Sequence, residues 1–305
     1  MKSQKLSLVF VLGLIALTLP LRAEDLRLKL DVAKRDVAAG LPIVLNVAVS
    51  TAGDAVDLPA ISPEAGNVHV YVEDPSGATK RYLGPRWGID EAAPDRYPVT
   101  ADEPLRRSIA LLFHNVIEGR DDLSDTQLPF VPARYRIIVE YFGAGHEAPL
   151  RDSVDVVVRP PATPGERAYW EALTSDPDLA ASIQTGNFAR HPDRLATAEQ
   201  LLREHPEPEH AAVTALAVGS HALRVNNDAR KAETILSWAA DREADAFVHR
   251  RVLRELAGAQ TVLRKFDDAA ATIEKALSST SDREFSKELL QLREILVTGE
   301  ARDRR

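Results

Sequence analysis

The sequence predicts a multidomain protein in which an N-terminal antiparallel β-sandwich is followed by an all-α domain of helical hairpins. Short β-branched segments with alternating apolar residues occupy residues 24–160, a pattern typical of strands. Segments rich in Ala, Leu, Arg and Glu with helical spacing occupy residues 166–298. The change of period coincides with a proline-rich stretch over residues 161–165. The two regions are therefore expected to be separate domains.

Residues 1–23 have the layout of a signal peptide. Two lysines precede an apolar run from 6 to 21, and Leu21-Arg22-Ala23 closes it, so we expect cleavage after Ala23. An uncleaved anchor helix is the alternative, but a proline in the run and a length below the ~20 apolar residues that span a bilayer favour cleavage. No later stretch is apolar enough to cross a membrane. The expected location is periplasmic or secreted.

The composition excludes several classes of function. The chain has no cysteine, which removes disulfides, thiolate catalysis and cysteine-ligated zinc. Its net charge of -8 becomes -11 when the three basic residues of the signal segment are removed. No basic face with stacking aromatic residues is visible, so nucleic acid is not an expected partner. With 28% charged and 45% hydrophobic residues, the chain is a folded globular protein of two domains.

The front region alternates apolar and polar residues in short segments bounded by turn residues. Ile43, Leu45, Val47 and Val49, for example, share one face. Seven strands are predicted in all: 26–32, 43–49, 68–72, 80–83, 108–113, 135–141 and 154–158. Seven short strands separated by turns indicate an antiparallel β-sandwich.

One local pattern favours a particular kind of sandwich. Pro132-Ala133-Arg134-Tyr135 leads into the penultimate predicted strand, the place where a tyrosine often hydrogen-bonds back to the preceding corner. Residues 24–160 therefore resemble the immunoglobulin-like and fibronectin-type-III-like domains of exported bacterial proteins. The cysteine pair and core tryptophan of antibody domains are absent. The resemblance implies a fold and leaves the function open.

A long connection from Gly84 to Pro104 interrupts the strand rhythm. It carries Trp87 and Tyr97. The two aromatic residues either fold back over the open end of the sandwich or form a solvent-facing recognition pair. The first arrangement is favoured because large aromatic side chains usually bury most of their area.

The prolines between the regions predict a stiff linker that spaces the domains apart. Helical signals begin at Glu166, where Tyr169 and Leu173 belong to an apolar stripe. Asp176 followed by Pro177 has the pattern of a helix cap and first turn, which predicts a second helix. A third helix is predicted to end by His205-Pro206.

The rest of the back region repeats itself at an interval of 37 residues. Small and apolar residues recur at matching positions: Leu216, Ser220, Ala229, Ala232, Leu236 and Ala239 precede Leu253, Ala257, Phe266, Ala269, Ile273 and Ala276. Residues 211–279 thereby resemble the tetratricopeptide repeat, whose usual period is ~34 residues. An unrelated antiparallel helical bundle remains the alternative. A last helix over 283–297 would cap the array, and 299–305 would form a charged tail.

In this repeat family, binding occurs on the concave face formed by the first helix of each pair. The matching positions include His221 and Arg224 in one copy and Arg251 and Arg254 in the next. The resemblance implies that the three arginines, with His221 beside them, hold an acidic or C-terminal carboxylate group of a partner peptide. The family's carboxylate clamp uses Asn where His221 and Gly258 lie. The alternative is that the arginines pair with carboxylates of neighbouring residues, namely Glu243, Glu255 or Asp267.

No catalytic or metal-binding motif emerges, so no catalytic residue, cofactor or metal is predicted. The chain lacks a Gly-x-Ser-x-Gly elbow, a His-Glu-x-x-His motif and a glycine-rich phosphate loop. His205 and His210 are separated by two prolines, and His69 and His114 lie alone in or beside strands. The acidic loop 118–125 could offer Asp121, Asp122 and Asp125 to calcium, but it lacks EF-hand spacing and reads as a solvated turn.

These observations favour an exported, non-catalytic binding or scaffold protein whose partner is a protein or peptide. Two other functions remain open. One is a hydrolase whose site is assembled from separate loops. The other is a calcium- or glycan-binding sandwich that uses the acidic loop or the aromatic pair Trp87 and Tyr97.

Overall fold

The computed structural model describes residues 25–63, 66–82, 95–111, 129–143, 148–242 and 244–303, with the side chains of the last helix described through residue 298. The signal segment 1–23, Trp87, His114 and the acidic loop 118–125 lie outside these ranges. Within the ranges, mixed β-sheets over residues 26–159 are followed by eight helices. The predicted order of a β region followed by an α region is confirmed.

Ten strands are present in the described part of the N-terminal region. They are β1 Leu26–Val32, β2 Asp36–Ala38, β3 Ile43–Thr51, β4 Val56–Pro59, β5 Val68–Glu73, β6 Thr79–Tyr82, β7 Arg96–Val99, β8 Leu105–Leu111, β9 Ala133–Tyr141 and β10 Leu150–Arg159. Each of the seven predicted strands overlaps one of them. The unpredicted strands β2, β4 and β7 have only three or four residues.

The strands form two sheets and one separate pair. The first sheet has the order β1-β3-β8 and is antiparallel. The second has the order β2-β10-β9-β5-β6, and its pairings are antiparallel except that β2 runs parallel to β10. Strands β4 and β7 pair with each other. Because inward side chains of both sheets share one hydrophobic core, the arrangement is a sandwich, and the expectation of purely antiparallel pairing is wrong only at β2.

Strand β3 shows how the sequence pattern positions the two faces of its sheet. Ile43, Leu45 and Val49 are fully buried on the inner face, as their alternation predicts. Val44 points the other way and is nevertheless only 5% exposed, because it lines a small cavity with Val213 and Val248 of the helical region. Helices therefore cover the outer face of this sheet at Val44.

Tyr135 forms the predicted hydrogen bond with the preceding corner. Its hydroxyl donates to the carbonyl oxygen of Val131 at 3.0 Å, and its ring meets Phe130 edge-on at 5.2 Å between centroids. The side chain is buried near the start of β9. The prediction made for Tyr135 is confirmed.

The helical region begins within the segment that was predicted to be a linker. The helices are α1 Pro164–Ser175, α2 Pro177–Thr185, α3 Pro192–Glu204, α4 Glu209–Arg224, α5 Ala229–Ala240, α6 Ala246–Val262, α7 Phe266–Ser278 and α8 Arg283–Asp303. Thr163 caps α1 through a reciprocal capping box with Glu166, which fixes the helix start. Helix α8 continues to Asp303, so the expected charged tail after residue 298 is largely helical. In the described ranges, no helix is both long and apolar enough to cross a membrane.

The 37-residue repeat is visible in the helix boundaries. Helices α4 and α6 begin 37 residues apart, and α3, α5 and α7 begin at two successive intervals of 37. Asn227 and Arg264, also 37 apart, adopt positive φ angles of 53° and 59° after the first helix of their pairs. Helix α2 packs on α4, α4 on α6 and α6 on α8. The helices therefore stack as successive pairs, and α2 with α3 forms an additional pair before the two that the sequence predicts.

The prolines do not hold the two regions apart, and the expectation of spaced domains is wrong. Lys34 of the sandwich forms an ion pair with Glu209 of α4 at 2.7 Å. The backbone N–H of Ser108 donates to Asp282, just before α8, at 3.1 Å. The physical reason is an apolar patch on the sandwich that includes Val37, Leu41 and Val44. Val213 near the start of α4 and Val248 near the start of α6 remove this patch from water.

Candidate functional site

The candidate arginines lie on the first helices of two consecutive pairs. Arg224 lies in the last turn of α4, whereas Arg251 and Arg254 lie in α6. Since α4 packs on α6 and α6 on α8, residues of these three helices meet on one surface. The 37-residue repeat places the candidate residues on this surface because it superimposes α4 on α6.

The carboxylate of Glu255 joins two of the three arginines. Arg224 donates through Nε to Glu255 Oε2 at 3.1 Å and through Nη2 to Oε1. Arg254 donates through Nη1 to Glu255 Oε1 at 2.6 Å. The Glu255 side chain is only 7% exposed, whereas that of Arg224 is 55% exposed. A buried carboxylate thus fixes the positions of two accessible guanidinium groups.

A second carboxylate extends this arrangement to the last helix. Arg254 contacts Glu288 of α8 through Nε at 3.0 Å. Arg224, Glu255, Arg254 and Glu288, here called the Arg–Glu network, therefore alternate in charge across α4, α6 and α8. Sequence analysis included Glu255 among the possible partners but missed Glu288. Glu288 could have been found by placing the predicted last helix beside α6 and asking which of its residues face Arg254.

Arg251 lies beside the Arg–Glu network. It is exposed, and its guanidinium carbon lies 5.2 Å from the centroid of the Phe247 ring one turn earlier, a cation–π distance. Residues three or four apart on a helix are surface neighbours, so Arg251 is next to Arg254 and Glu255. The structure therefore brings all three predicted arginines onto one surface.

His221 does not belong to this surface, and its expected role in binding a partner is corrected. It is 4% exposed, and its Nδ1 accepts a hydrogen bond from the backbone N–H of Phe188 at 3.1 Å. Burial lowers the pKa of His221. The reason is the connection between α2 and α3, which contains Phe188 and covers this side of α4. Both helices were predicted, but their packing on α4 was not.

A cleft that sequence analysis missed lies near the start of α4. Its volume is about 460 Å³. The guanidinium of Arg242 lies 4.1 Å from the Trp238 ring centroid and donates to the carbonyl oxygen of Pro206 at 3.1 Å. Glu207, Glu209 and Asp241 also line the cleft. Its signal in the sequence is weak, because its lining comes from two separate segments, residues 207–212 and 238–242.

The other candidates from the sequence that lie in the described ranges pack against or bond to other parts of the protein. Tyr97 packs against the sandwich core and donates its hydroxyl proton to Glu284 of α8 at 2.5 Å, so it does not form a free recognition surface. His69 contacts Phe142 with ring centroids 4.5 Å apart. No group of three or more potential metal ligands is found among the described residues. The buried His210 bonds the backbone of Ala39.

The chemistry available at the Arg–Glu network is ionic recognition. Arginine presents five donors in a rigid fork, and Arg224 uses Nε and Nη2 for Glu255. Its Nη1 can donate to an additional carboxylate. The three arginines carry three positive charges against the two carboxylates of Glu255 and Glu288. The surface therefore has a small excess of positive charge on an acidic protein.

Comparison with known proteins assigns no family. No family model matches the chain, and no curated protein matches it. A solved structure with some similarity is Spo0M, a sporulation control protein from Bacillus subtilis, at 10% identity and a TM-score of 0.26. The alignment covers 53% of this chain and 55% of that one. This superposition is too loose to assign a shared fold.

Proposed function

We propose that the protein is an exported, non-catalytic binding protein that recognises a protein or peptide through its helical region. The observation that carries the proposal is the Arg–Glu network, in which the buried carboxylate of Glu255 holds Arg224 and Arg254 at an accessible surface. Pre-positioned arginines lose less conformational entropy on binding than freely moving ones. Such a surface suits a partner that presents carboxylate groups.

The proposal includes a finer assignment of the two folds. An immunoglobulin-like sandwich is supported by the order of the strands, with β1-β3-β8 in one sheet and β10-β9-β5 in the other, and by the hydrogen bond of Tyr135. A tetratricopeptide-like array is supported by the 37-residue interval of helix starts and by stacking of alternate helices. Arrays of this kind present extended surfaces that bind other chains.

The expected ligand is an acidic segment or a C-terminal carboxylate. The Nη1 of Arg224 is not used by Glu255, and Arg251 is an exposed residue one turn before Glu255 on α6. Paired hydrogen bonds from these groups would recognise a planar carboxylate. Since the pairs are partly exposed, we expect the affinity to fall as salt concentration rises.

The test is binding of the full mature chain, residues 24–305, to an array of peptides that end in a free carboxylate, with amidated copies of the same peptides. We expect the free-acid peptides to bind more tightly. The variant Arg251→Ala/Arg254→Ala should lose most of this binding. Circular dichroism and thermal unfolding would show that the variant is folded.

Arg230→Ala is the matched control, because Arg230 is an exposed arginine on α5, a helix that contributes no residue to the network. It removes the same charge and should leave binding unchanged. Equal binding by the wild type and the Arg251→Ala/Arg254→Ala variant would exclude this surface. If the surface does bind peptides, the natural partner should be captured from a periplasmic extract by the wild type and by Arg230→Ala but not by Arg251→Ala/Arg254→Ala.

A further inference from the structure

His210, in the first turn of α4, lies inside the junction between the sandwich and the helices. It is 2% exposed, and its Nε2 lies 2.8 Å from the carbonyl oxygen of Ala39 in the sandwich. Its ring stacks on Tyr169 of α1 with centroids 5.4 Å apart. A carbonyl oxygen only accepts hydrogen bonds, so Nε2 carries the hydrogen and donates it to Ala39.

Protonation of the other ring nitrogen of His210, Nδ1, is unfavourable in the docked structure. In the tautomer set by Ala39, Nδ1 is unprotonated, and it is buried without a hydrogen-bond partner among the described residues. Protonation would place a second N–H and a positive charge there, which is costly without an acceptor. Burial accordingly lowers the pKa of His210.

The charged groups around His210 are engaged elsewhere. Glu209, on the same helix, pairs with Lys34 of the sandwich. Glu166 of α1 pairs with Arg159 at the end of β10 at 2.7 Å, and this partner helps to lower the pKa of Glu166 to about 2. Burial raises the pKa of the Tyr169 hydroxyl. Glu166 and Tyr169 therefore keep one protonation state between pH 5 and 8, and neither carboxylate is a dedicated counter-ion for a protonated ring.

We propose that His210 makes the docking of the sandwich on the helical region sensitive to pH, with proton uptake at Nδ1 loosening the contact between Ala39 and α4. The proton comes from solvent once the junction opens. The charged ring then disfavours return to the buried position, so the open form of the junction is stabilised. This regulatory property is independent of the proposed peptide-binding surface.

The direction and size of the effect follow from proton linkage. In the open form, His210 has an ordinary pKa of ~6.5, whereas the docked form resists protonation, so the open form binds more protons as the pH falls. Docking stability is fully present above the ordinary pKa and decreases below it. Between pH 7.5 and 5.5 the opening equilibrium should increase up to about tenfold.

Hydrogen–deuterium exchange of the mature chain at pH 7.5 and 5.5 tests the proposal, after correction for intrinsic exchange. The probe segments are residues 36–42 and 209–214, which contain the two sides of the Ala39–His210 contact. We expect up to about tenfold faster opening at pH 5.5 in the wild type. His210→Gln keeps an N–H donor but does not titrate in this range, and its rates should differ little between the two pH values.

His191→Gln is the control, because His191 lies outside the junction and pairs with Asp178 at 3.5 Å; it should keep the wild-type response. The same pH response in His210→Gln as in the wild type would overturn the proposal, and so would a wild type without any response. If His210→Gln does not fold, NMR titration of histidine-labelled wild type decides. A His210 midpoint below ~6.5 that coincides with faster exchange supports the proposal, and a midpoint at or above it overturns it.

Discussion

Arg159 at the end of β10 and Glu166 in the first turn of α1 form a two-bonded ion pair at the point where the sandwich becomes the helical region. The guanidinium donates through Nη1 to Oε2 at 2.9 Å and through Nη2 to Oε1 at 2.7 Å. Glu166 also accepts a hydrogen bond from the backbone N–H of Ala162 at 2.6 Å. One carboxylate therefore fixes the chain path from the last strand into the first helix.

Glu166→Gln should lower the free energy of unfolding at pH 7 by about 2 kcal/mol, because it weakens both the ion pair and the capping box. The wild-type contribution is present above the ordinary carboxyl pKa of 4.5 and is lost as the pH falls toward the folded pKa of about 2. Chemical denaturation at pH 7 and pH 3 would measure the difference. It should be smaller at pH 3 than at pH 7, and an equal difference would contradict this assignment.

Glu255→Gln should destabilise the protein by about 1–3 kcal/mol, because it leaves Arg224 and Arg254 without their shared carboxylate. Denaturant unfolding of Glu255→Gln, Arg224→Ala and the double variant would give the coupling energy of the pair. We expect the double variant to lose less than the sum of the two single losses. Strictly additive losses would show that the contact contributes nothing. Arg230→Ala should stay within about 0.5 kcal/mol of the wild type.

Gly219→Ala should destabilise the protein by about 1–3 kcal/mol through overpacking. A Cβ atom at Gly219 would lie 2.6 Å from Cγ of Leu236, where α4 meets α5. Gly258→Ala is the matched control, because its Cβ would meet Leu223 at an ordinary 3.4 Å, and alanine favours a helix by about 0.5–1 kcal/mol. In thermal unfolding, the midpoint temperature should fall for Gly219→Ala and rise for Gly258→Ala. Equal effects would contradict close contact at Gly219.

Tyr135→Phe should cost about 1 kcal/mol, since it removes the hydrogen bond to Val131 but keeps the buried ring. The carbonyl oxygen of Val131 belongs to a half-exposed residue, so water can replace the lost donor and limit the loss. Urea denaturation of the variant and the wild type would measure it. An unchanged midpoint would show that the corner does not depend on this bond.

Much of the fold could be predicted from periodicity. Alternation in β3 identified the inner face through Ile43 and Leu45, and the Asp176-Pro177 pair marked the start of α2, where the Asp176 side chain accepts from the backbone N–H of Leu179 at 3.1 Å. Periodicity within a segment does not show what covers its outer face. The burial of Val44 by the helices was therefore not predicted.

For the candidate site, too, the sequence predicted which residues share a surface but not what they contact. The 37-residue repeat placed Arg224 and Arg254 on one surface, because it is a property of the backbone path. The arginines pair within the chain because the Glu255 side chain is buried between them. The spacing of residues along the sequence does not show how deeply a side chain is buried. His221 was misplaced because the sequence offered no clear signal that the pair before α4 would cover it through Phe188.

The regular interval of the helix starts has a consequence for changing the length of the molecule. The stretch from Ala229 to Lys265 runs from the start of α5 to the residue before α7, so its two ends occupy equivalent places in the array. Inserting a duplicate of this stretch would add two helices to the stack, with the original sequence still on either side of the insertion. Because Asp282 and Glu284 at the start of α8 bond Ser108 and Tyr97 of the sandwich, the added helices would move α8 away from these contacts.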